Sequence, residues 1–347
     1  MEYILFSCLF NNSSKKKINS DTNEETKNDN YKLLTAISKD DVETVKEILK
    51  NADDNGIILN INEKDSTGMS PLLNAIEKNN IEIFKLIINY ADQNKIILQL
   101  NDKNKSGSYP FLSALYGKNL KIIKLIIDYA KENNIILNIN EKNNAGVYPL
   151  LMATYHGNEF IKPIINYAND NNIILQINEK DNGNSYPLSV ATLFNNTEVA
   201  KLIINYANAN NIILTINDTN NMITGNPISY ALFWNNKEMV KLLIDYANKN
   251  NIILYLKEDE VYLISKLDTE IIELLYKSYN THKMNITFSE ESMLLKKMNE
   301  IKNNLDSVNI SNGTILSDNN NLRKRKLEDD LPLNLRKRKL DDDLPLK

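Results

Sequence analysis

The chain has 347 residues, 42% of them hydrophobic and 25% charged, with 41 Lys/Arg against 45 Asp/Glu for a net charge of −4. It is long enough to bury a core, and its charge is too balanced for a body held to nucleic acid by phosphate neutralisation. One cysteine, Cys8, and two histidines, His156 and His282, exclude an internal disulfide framework and leave too few ligands for a structural zinc site.

No metal and no cofactor is therefore expected. No apolar run approaches the roughly 20 residues of a membrane-spanning helix, so no membrane partner is expected either. The opening Met1 to Phe10 is apolar but short, starts acidic and lacks a small-x-small cleavage site. The expected location is intracellular, cytoplasmic or nuclear. Roughly one residue in six is Asn, and Lys, Ile and Tyr are also abundant. A/T-rich codons account for this blandly, so sequons such as those at Asn12, Asn217, Asn285, Asn309 and Asn312 carry no weight as glycosylation sites.

In chain order, residues 1–30 are polar beyond the first ten and are expected to be disordered. A fixed period then sets in. Prolines fall at Pro71, Pro110, Pro149, Pro187 and Pro227, at steps of 39, 39, 38 and 40. The pairs Tyr90-Ala91, Tyr129-Ala130, Tyr167-Ala168, Tyr206-Ala207 and Tyr246-Ala247 keep the same step, as do Ile-Ile-Leu triplets beginning at Ile57, Ile96, Ile135, Ile173, Ile212 and Ile252. Such a period over some 250 residues means a stacked array whose units bury their apolar faces against one another.

Within a unit, Ser70-Pro71 places a capping hydroxyl before a proline at the first helical position. Asn79-Asn80 ends that short helix. Ile83, Leu86, Ile87 and Tyr90 then form the i, i+3, i+4, i+7 stripe of a second, which should stop near Asn94. An extended Ile-Ile-Leu segment leads through polar residues and a glycine (Gly68, Gly107, Gly146) to the next proline.

The run Asp65-Ser66-Thr67-Gly68-Met69-Ser70-Pro71-Leu72-Leu73-Asn74-Ala75, followed by Asn80-Ile81-Glu82-Ile83-Phe84-Lys85-Leu86-Ile87, resembles the ankyrin repeat, D-x-x-G-x-T-P-L-H-x-A…G-x-x-x-I-V-x-x-L-L. It recurs five times, flanked by a truncated unit from Leu34 and a degenerate one at Asp268 to Leu275. The resemblance implies an all-α, ankyrin-like solenoid of stacked helix-turn-helix repeats with finger-like connections over residues 31–280.

Departures are evident. Ser70, Tyr109, Tyr148, Tyr186 and Asn226 stand at the family's threonine, and Leu73, Leu112, Leu151, Ser189 and Ser229 at its histidine. The unit is also longer, which should lengthen the second helix and its loop. The fifth unit carries an extra residue near Met222 to Thr224. In the third, the second helix reads one residue short and contains Pro163, which should kink or delay it at about 3 kcal/mol if internal.

No nucleophile with a partnered base, no phosphate loop and no H-E-x-x-H occurs, so the expectation is a chain that is not an enzyme. The resemblance implies partner binding on the concave side made by fingers and first helices. Its partner-facing positions map onto Glu77-Lys78, Tyr116-Gly117, Tyr155-His156, Leu193-Phe194 and Phe233-Trp234, a column turning from charged to aromatic. Tyr116, Tyr155, His156, Phe194, Phe233 and Trp234 are thus the candidate partner-binding residues. The competing reading is that some, Leu193 and Phe233 especially, cover neighbouring loops. Tyr109, Tyr148 and Tyr186 form a second column that either joins the groove or packs, and His156 reads as a surface or groove histidine.

Further on, Leu294, Leu295, Met298, Ile301 and Leu305 suggest a helical extension within 281–305, and residues 306–347 read as a disordered tail. Residues 322–347 hold nine Lys/Arg and six Asp/Glu, leaving 32 against 39 in residues 1–321, so tail and body differ in sign. The stretch Asn321 to Leu333 is repeated at Asn334 to Leu346 with one change, Glu328 to Asp341. Its clusters Arg323, Lys324, Arg325, Lys326 and Arg336, Lys337, Arg338, Lys339 resemble nuclear-import signals for an importin-type carrier. Equally open is a charged, slippage-duplicated tail with no reader, and the neighbouring acidic residues argue against nucleic acid. The expected function is a monomeric interaction module with an unidentified protein partner. The alternative is a nuclear regulatory protein whose tail engages a carrier or nucleic acid while the array is scaffold.

Overall fold

The structure is a computed structural model and describes residues 22–219, 225–261, 264–289 and 291–311. The described residues are mostly helical, with fourteen α-helices and one two-stranded sheet. No described helix is long and apolar enough to cross a membrane. The chain divides into two compact units, Met1–Gln176 with Lys180–Asn182, and Ile177–Glu179 with Gly183–Lys347.

The first unit is built from four helical hairpins: α1 (Thr22–Ser38) with α2 (Val42–Asp54), α3 (Pro71–Glu77) with α4 (Ile81–Asn94), α5 (Pro110–Tyr116) with α6 (Leu120–Glu132), and α7 (Pro149–His156) with α8 (Asn158–Asp170). First helices pack on first helices, α1 on α3 on α5 on α7, and second helices likewise, α2 on α4 on α6 on α8. Residues 22–30 therefore belong to a helix, not to a disordered leader. Their apolar continuation, Leu33, Ala36 and Ile37, is buried and gives α1 a face to dock.

Local chemistry sets each hairpin. Ser70 caps α3 by accepting the Leu73 N–H at 3.2 Å, with Pro71 at the first helical position. Asn80 caps α4 and Asn119 caps α6 through their side-chain oxygens. The residue before each cap, Asn79 or Lys118, is left-handed, with φ of 57° and 53°. Behind the caps, Ile83, Phe84, Ile87, Tyr90 and Ala91 of α4 are buried, as are Ile122, Ile123, Ile126, Tyr129 and Ala130 of α6. Each large aliphatic among them contributes roughly 1.5–3 kcal/mol on burial.

The fourth hairpin, which is the third full repeat, corrects one expectation. Its missing residue is taken from the turn, where Gly157 alone (φ 107°) ends α7 and begins α8, and α8 keeps thirteen residues, as many as α6. Pro163 lies inside α8, which continues on both sides of it.

The second unit holds α9 (Pro187–Leu193) with α10 (Thr197–Ala209), α11 (Pro227–Phe233) with α12 (Lys237–Lys249), then β1 (Leu254–Lys257), α13 (Thr269–Asn280), β2 (Met284–Thr287) and α14 (Met293–Ser311). The additional residue expected near Met222 to Thr224 lies outside the described residues. Here α9 packs on α11, α10 on α12, α12 on α13 and α13 on α14. The segment after α12 forms a parallel strand pair, Leu254 opposite Met284 through Lys257 opposite Thr287, a feature the all-α reading did not include. The extension after residue 280 thus begins with a strand, and its helix runs past residue 305 to Ser311. Leu294, Met298 and Ile301 are buried against the unit, whereas Leu305 is exposed.

Between hairpins, side chains join what the backbone leaves apart. In the first unit the hydroxyls of Tyr90, Tyr129 and Tyr167 accept the N–H of Leu59, Leu98 and Leu137 at 3.0, 3.1 and 2.9 Å. Each tyrosine pins the extended segment of the preceding hairpin. Asn62, Asn101 and Asn140 each span to the following segment, donating to the carbonyls of Ile97, Ile136 and Ile174 and accepting the N–H of Gln99, Asn138 and Gln176. The Asn side chain supplies the donor and acceptor that a neighbouring strand would provide. Asn30 of α1 closes the first rung by accepting the Asn60 N–H at 3.1 Å. In the second unit, Asn178 and Asn217 repeat the device, and Tyr246 pins Leu214.

Candidate functional site

The fingers and first-helix ends are fixed from the backbone upward. In the first unit Asn104 Oδ1 accepts the N–H groups of Ser106 and Ser108, folding its own finger, and Lys105 N–H donates to the Thr67 carbonyl of the previous finger at 2.9 Å. Gly107 turns that finger at φ 78°, and a Cβ there would stand 2.7 Å from Asn144 Oδ1. Asn104 Nδ2 also reaches Glu77 at 3.3 Å, and Asn143 Nδ2 donates to the Tyr116 hydroxyl at 3.1 Å. Both helix-end side chains are thereby aimed by the next finger. Partial burial raises the pKa of the Glu77 carboxyl, while Ser113 and Lys78 oppose the rise.

Tyr116 is exposed and Tyr155 half-buried. His156 departs from the surface reading: both ring nitrogens are closed off from solvent, and neither makes a well-formed hydrogen bond. Its ring stands edge-on to Phe160 with centroids 5.3 Å apart. Burial lowers its pKa and the Lys118 charge lowers it further, with the Leu115 backbone offsetting part of this. It is a neutral packing histidine at pH 7, and a poor recognition group.

In the second unit, three large aromatics stand open at the helix ends: Phe194 is 57% exposed, Phe233 40% and Trp234 46%. Leu193 is half-buried. Trp234 is held in place by its indole N–H, which donates to the Leu193 carbonyl at 2.8 Å, and by edge-on contact with Phe233 at 5.1 Å between centroids. A fixed indole with exposed faces offers large contact area at little entropic cost.

Tyr109, Tyr148 and Tyr186 resolve toward packing. All three are fully buried. The Tyr109 hydroxyl donates to the Asn138 and Glu141 carbonyls and that of Tyr186 to the Asp218 carbonyl, and burial raises the pKa of both phenols. The basic residues Arg323, Lys324, Arg325, Lys326, Arg336, Lys337, Arg338 and Lys339 lie outside the described residues.

Two features escaped the sequence reading. In each Ile-Ile-Leu triplet the middle isoleucine is exposed while the leucine is buried, a period-2 signal that was legible in principle. The first unit also has an open cavity of about 490 Å³ between α6 and α8, lined by Leu120, Lys124, Glu159, Lys162, Pro163 and Tyr167 among others. Pro163 stands there where Leu86 and Leu125 stand in the earlier hairpins.

No family model and no curated protein matches the chain. Among matching solved structures is one described as a predatory endopeptidase from Bdellovibrio bacteriovorus in complex with an immunity protein. It matches at 18% identity and a TM-score of 0.45, over 62% of this chain and 97% of that one. The expectation that the chain is not an enzyme is corrected on this finding, since a structure containing an enzyme is among its neighbours, and it is withdrawn. A likeness this low carries no argument for an activity.

Proposed function

We propose that the chain is a protein-interaction module made of ankyrin-like repeats, which binds a partner protein or peptide through its fingers and first-helix ends. Support for the repeat type comes from the proline-started short helices, the longer second helices and the fingers hydrogen-bonded one to the next within the first unit. The observation that carries the binding reading is the exposed trio Phe194, Phe233 and Trp234, with its indole fixed by Leu193. Rigid exposed aromatics at one edge are the composition of an interface centre rather than of a solvated surface.

The test is affinity capture from the native lysate by the intact chain and by a Phe194→Ala/Trp234→Ala variant with unchanged helical circular dichroism. Partners lost with the variant support the site. Partners kept by the variant and lost only on deleting residues 321–347 would move binding to the duplicated tail.

A further inference from the structure

The first unit carries a second apolar surface, remote in sequence from the helix ends used above. Ile58, Ile97, Ile136 and Ile174 are 50, 50, 57 and 59% exposed, one per hairpin. Beside each lies a half-buried isoleucine, Ile57, Ile96, Ile135 and Ile173. Their backbone is fixed: the carbonyls of Ile97, Ile136 and Ile174 accept the amides of Asn62, Asn101 and Asn140. The isoleucines are thus presented in register from a pinned ladder.

From this we propose that the isoleucine stripe of the first unit is the contact surface of a homodimer, with a second copy of this chain as its occupant. Three observations favour a second copy over another ligand. First, the stripe repeats the same two side chains at steps of 39, 39 and 38 residues. A two-fold axis between Ile97 and Ile136 lays it on itself, Ile97 facing Ile136 of the other copy and Ile58 facing Ile174. Self-complementarity of this kind is what an isologous interface requires.

Second, none of the four segments Ile57-Ile58-Leu59-Asn60, Ile96-Ile97-Leu98-Gln99, Ile135-Ile136-Leu137-Asn138 and Ile173-Ile174-Leu175-Gln176 contains a charge. Two copies meet there without repulsion, although the chain is net acidic, and the stripe has no cation for a phosphate or an anionic lipid. Third, the area suits a weak dimer. Four half-exposed isoleucines offer on the order of 100 Å² each, about 400 Å² per copy before their neighbours are counted, which falls in the small, transient interface class. A dissociation constant in the micromolar range is expected.

Sedimentation equilibrium of the full chain tests this. The weight-average mass should climb from near 39.8 kDa toward about twice that between about 1 and 100 µM, at a pace set by weak association. Ile97→Lys/Ile136→Lys should stay monomeric over that range. Should that variant lose helical signal, Gln99→Lys/Asn138→Lys leaves every isoleucine in place and sets like charges across the axis; association should weaken at least about tenfold. A wild-type chain that is monomeric at about 100 µM, or folded variants that associate as the wild type does, would overturn the proposal.

Discussion

Tyr129 and Leu98 are joined across two hairpins: the phenol hydroxyl accepts the buried Leu98 N–H at 3.1 Å and turns its own proton toward the Ile96 carbonyl at 3.3 Å. One side chain thus satisfies two backbone groups that have no strand partner. Burial is the main reason its phenol pKa is raised, so the hydroxyl keeps its proton throughout the usable pH range.

Tyr129→Phe removes that hydroxyl and leaves the Leu98 N–H buried without an acceptor. The expected cost is about 1–3 kcal/mol, read as a lower urea midpoint at unchanged slope. Tyr116→Phe is the comparison, because its hydroxyl meets the exposed Asn143 amide; it should cost no more than about 0.5 kcal/mol. Equal costs for the two would show that the hydroxyl bridge does not hold the segment.

The hairpins were legible in the sequence because each signal is local and repeated: proline after a cap, a 3.6-residue stripe, a polar turn. What could not be read was lateral. Asn62 and Asn101 look like any other asparagines of an A/T-rich composition, yet each bridges two backbone groups more than 30 residues away. Asn217, one of the sequons, is spent in the same way. The aromatic column was legible as residue types, but whether a residue packs or projects depends on the neighbouring hairpin. Tyr109 sinks beneath the next segment while Trp234 stays open. His156 was misread for that reason too: Lys118, whose charge bears on it, belongs to the preceding hairpin, while Phe160 faces it across the turn of its own.

Pro163 occupies a leucine register inside α8 and cannot donate to the Glu159 carbonyl one turn back. Pro163→Leu restores the donor and a side chain that should partly fill the cavity beside Lys124 and Tyr167. Stability should rise by about 1–3 kcal/mol, seen as a higher denaturation midpoint. A fall would mean that the one-residue turn at Gly157 has set α8 in a path that only proline accommodates.

His156 couples stability to pH. Its folded pKa is lowered, by burial first and by Lys118 second, so the unfolded chain takes the proton more readily. The contribution is therefore complete above the unfolded value near 6.5 and is lost as pH falls from there through the folded pKa. His156→Phe should flatten the slope of urea midpoint against pH between about 7 and 5. An unchanged slope would place the titrating group elsewhere.

Glu258, towards the other end of the chain, also has its folded pKa lowered, but because its charged form is the one held. It is almost wholly buried, which by itself would raise its pKa, but the Leu294 N–H at 2.9 Å and the Ser289 N–H at 2.8 Å donate to it, with the hydroxyls of Ser289 and Ser292 adding to them, and hold it below the usual carboxylate range. Leu294 is the second residue of α14, so a carboxylate from the turn after β1 caps that helix from a distance. Glu258→Gln keeps the shape and loses the charge, and should cost about 1–3 kcal/mol at pH 7, with α14 becoming the first segment cut in limited proteolysis. Because the folded pKa is depressed, the wild-type advantage is present above the unfolded value near 4.3 and disappears as pH falls through the folded one. Wild type and variant should therefore converge in stability on acidification. A gap that persists at about pH 2 would mean that the carboxylate holds α14 by shape alone.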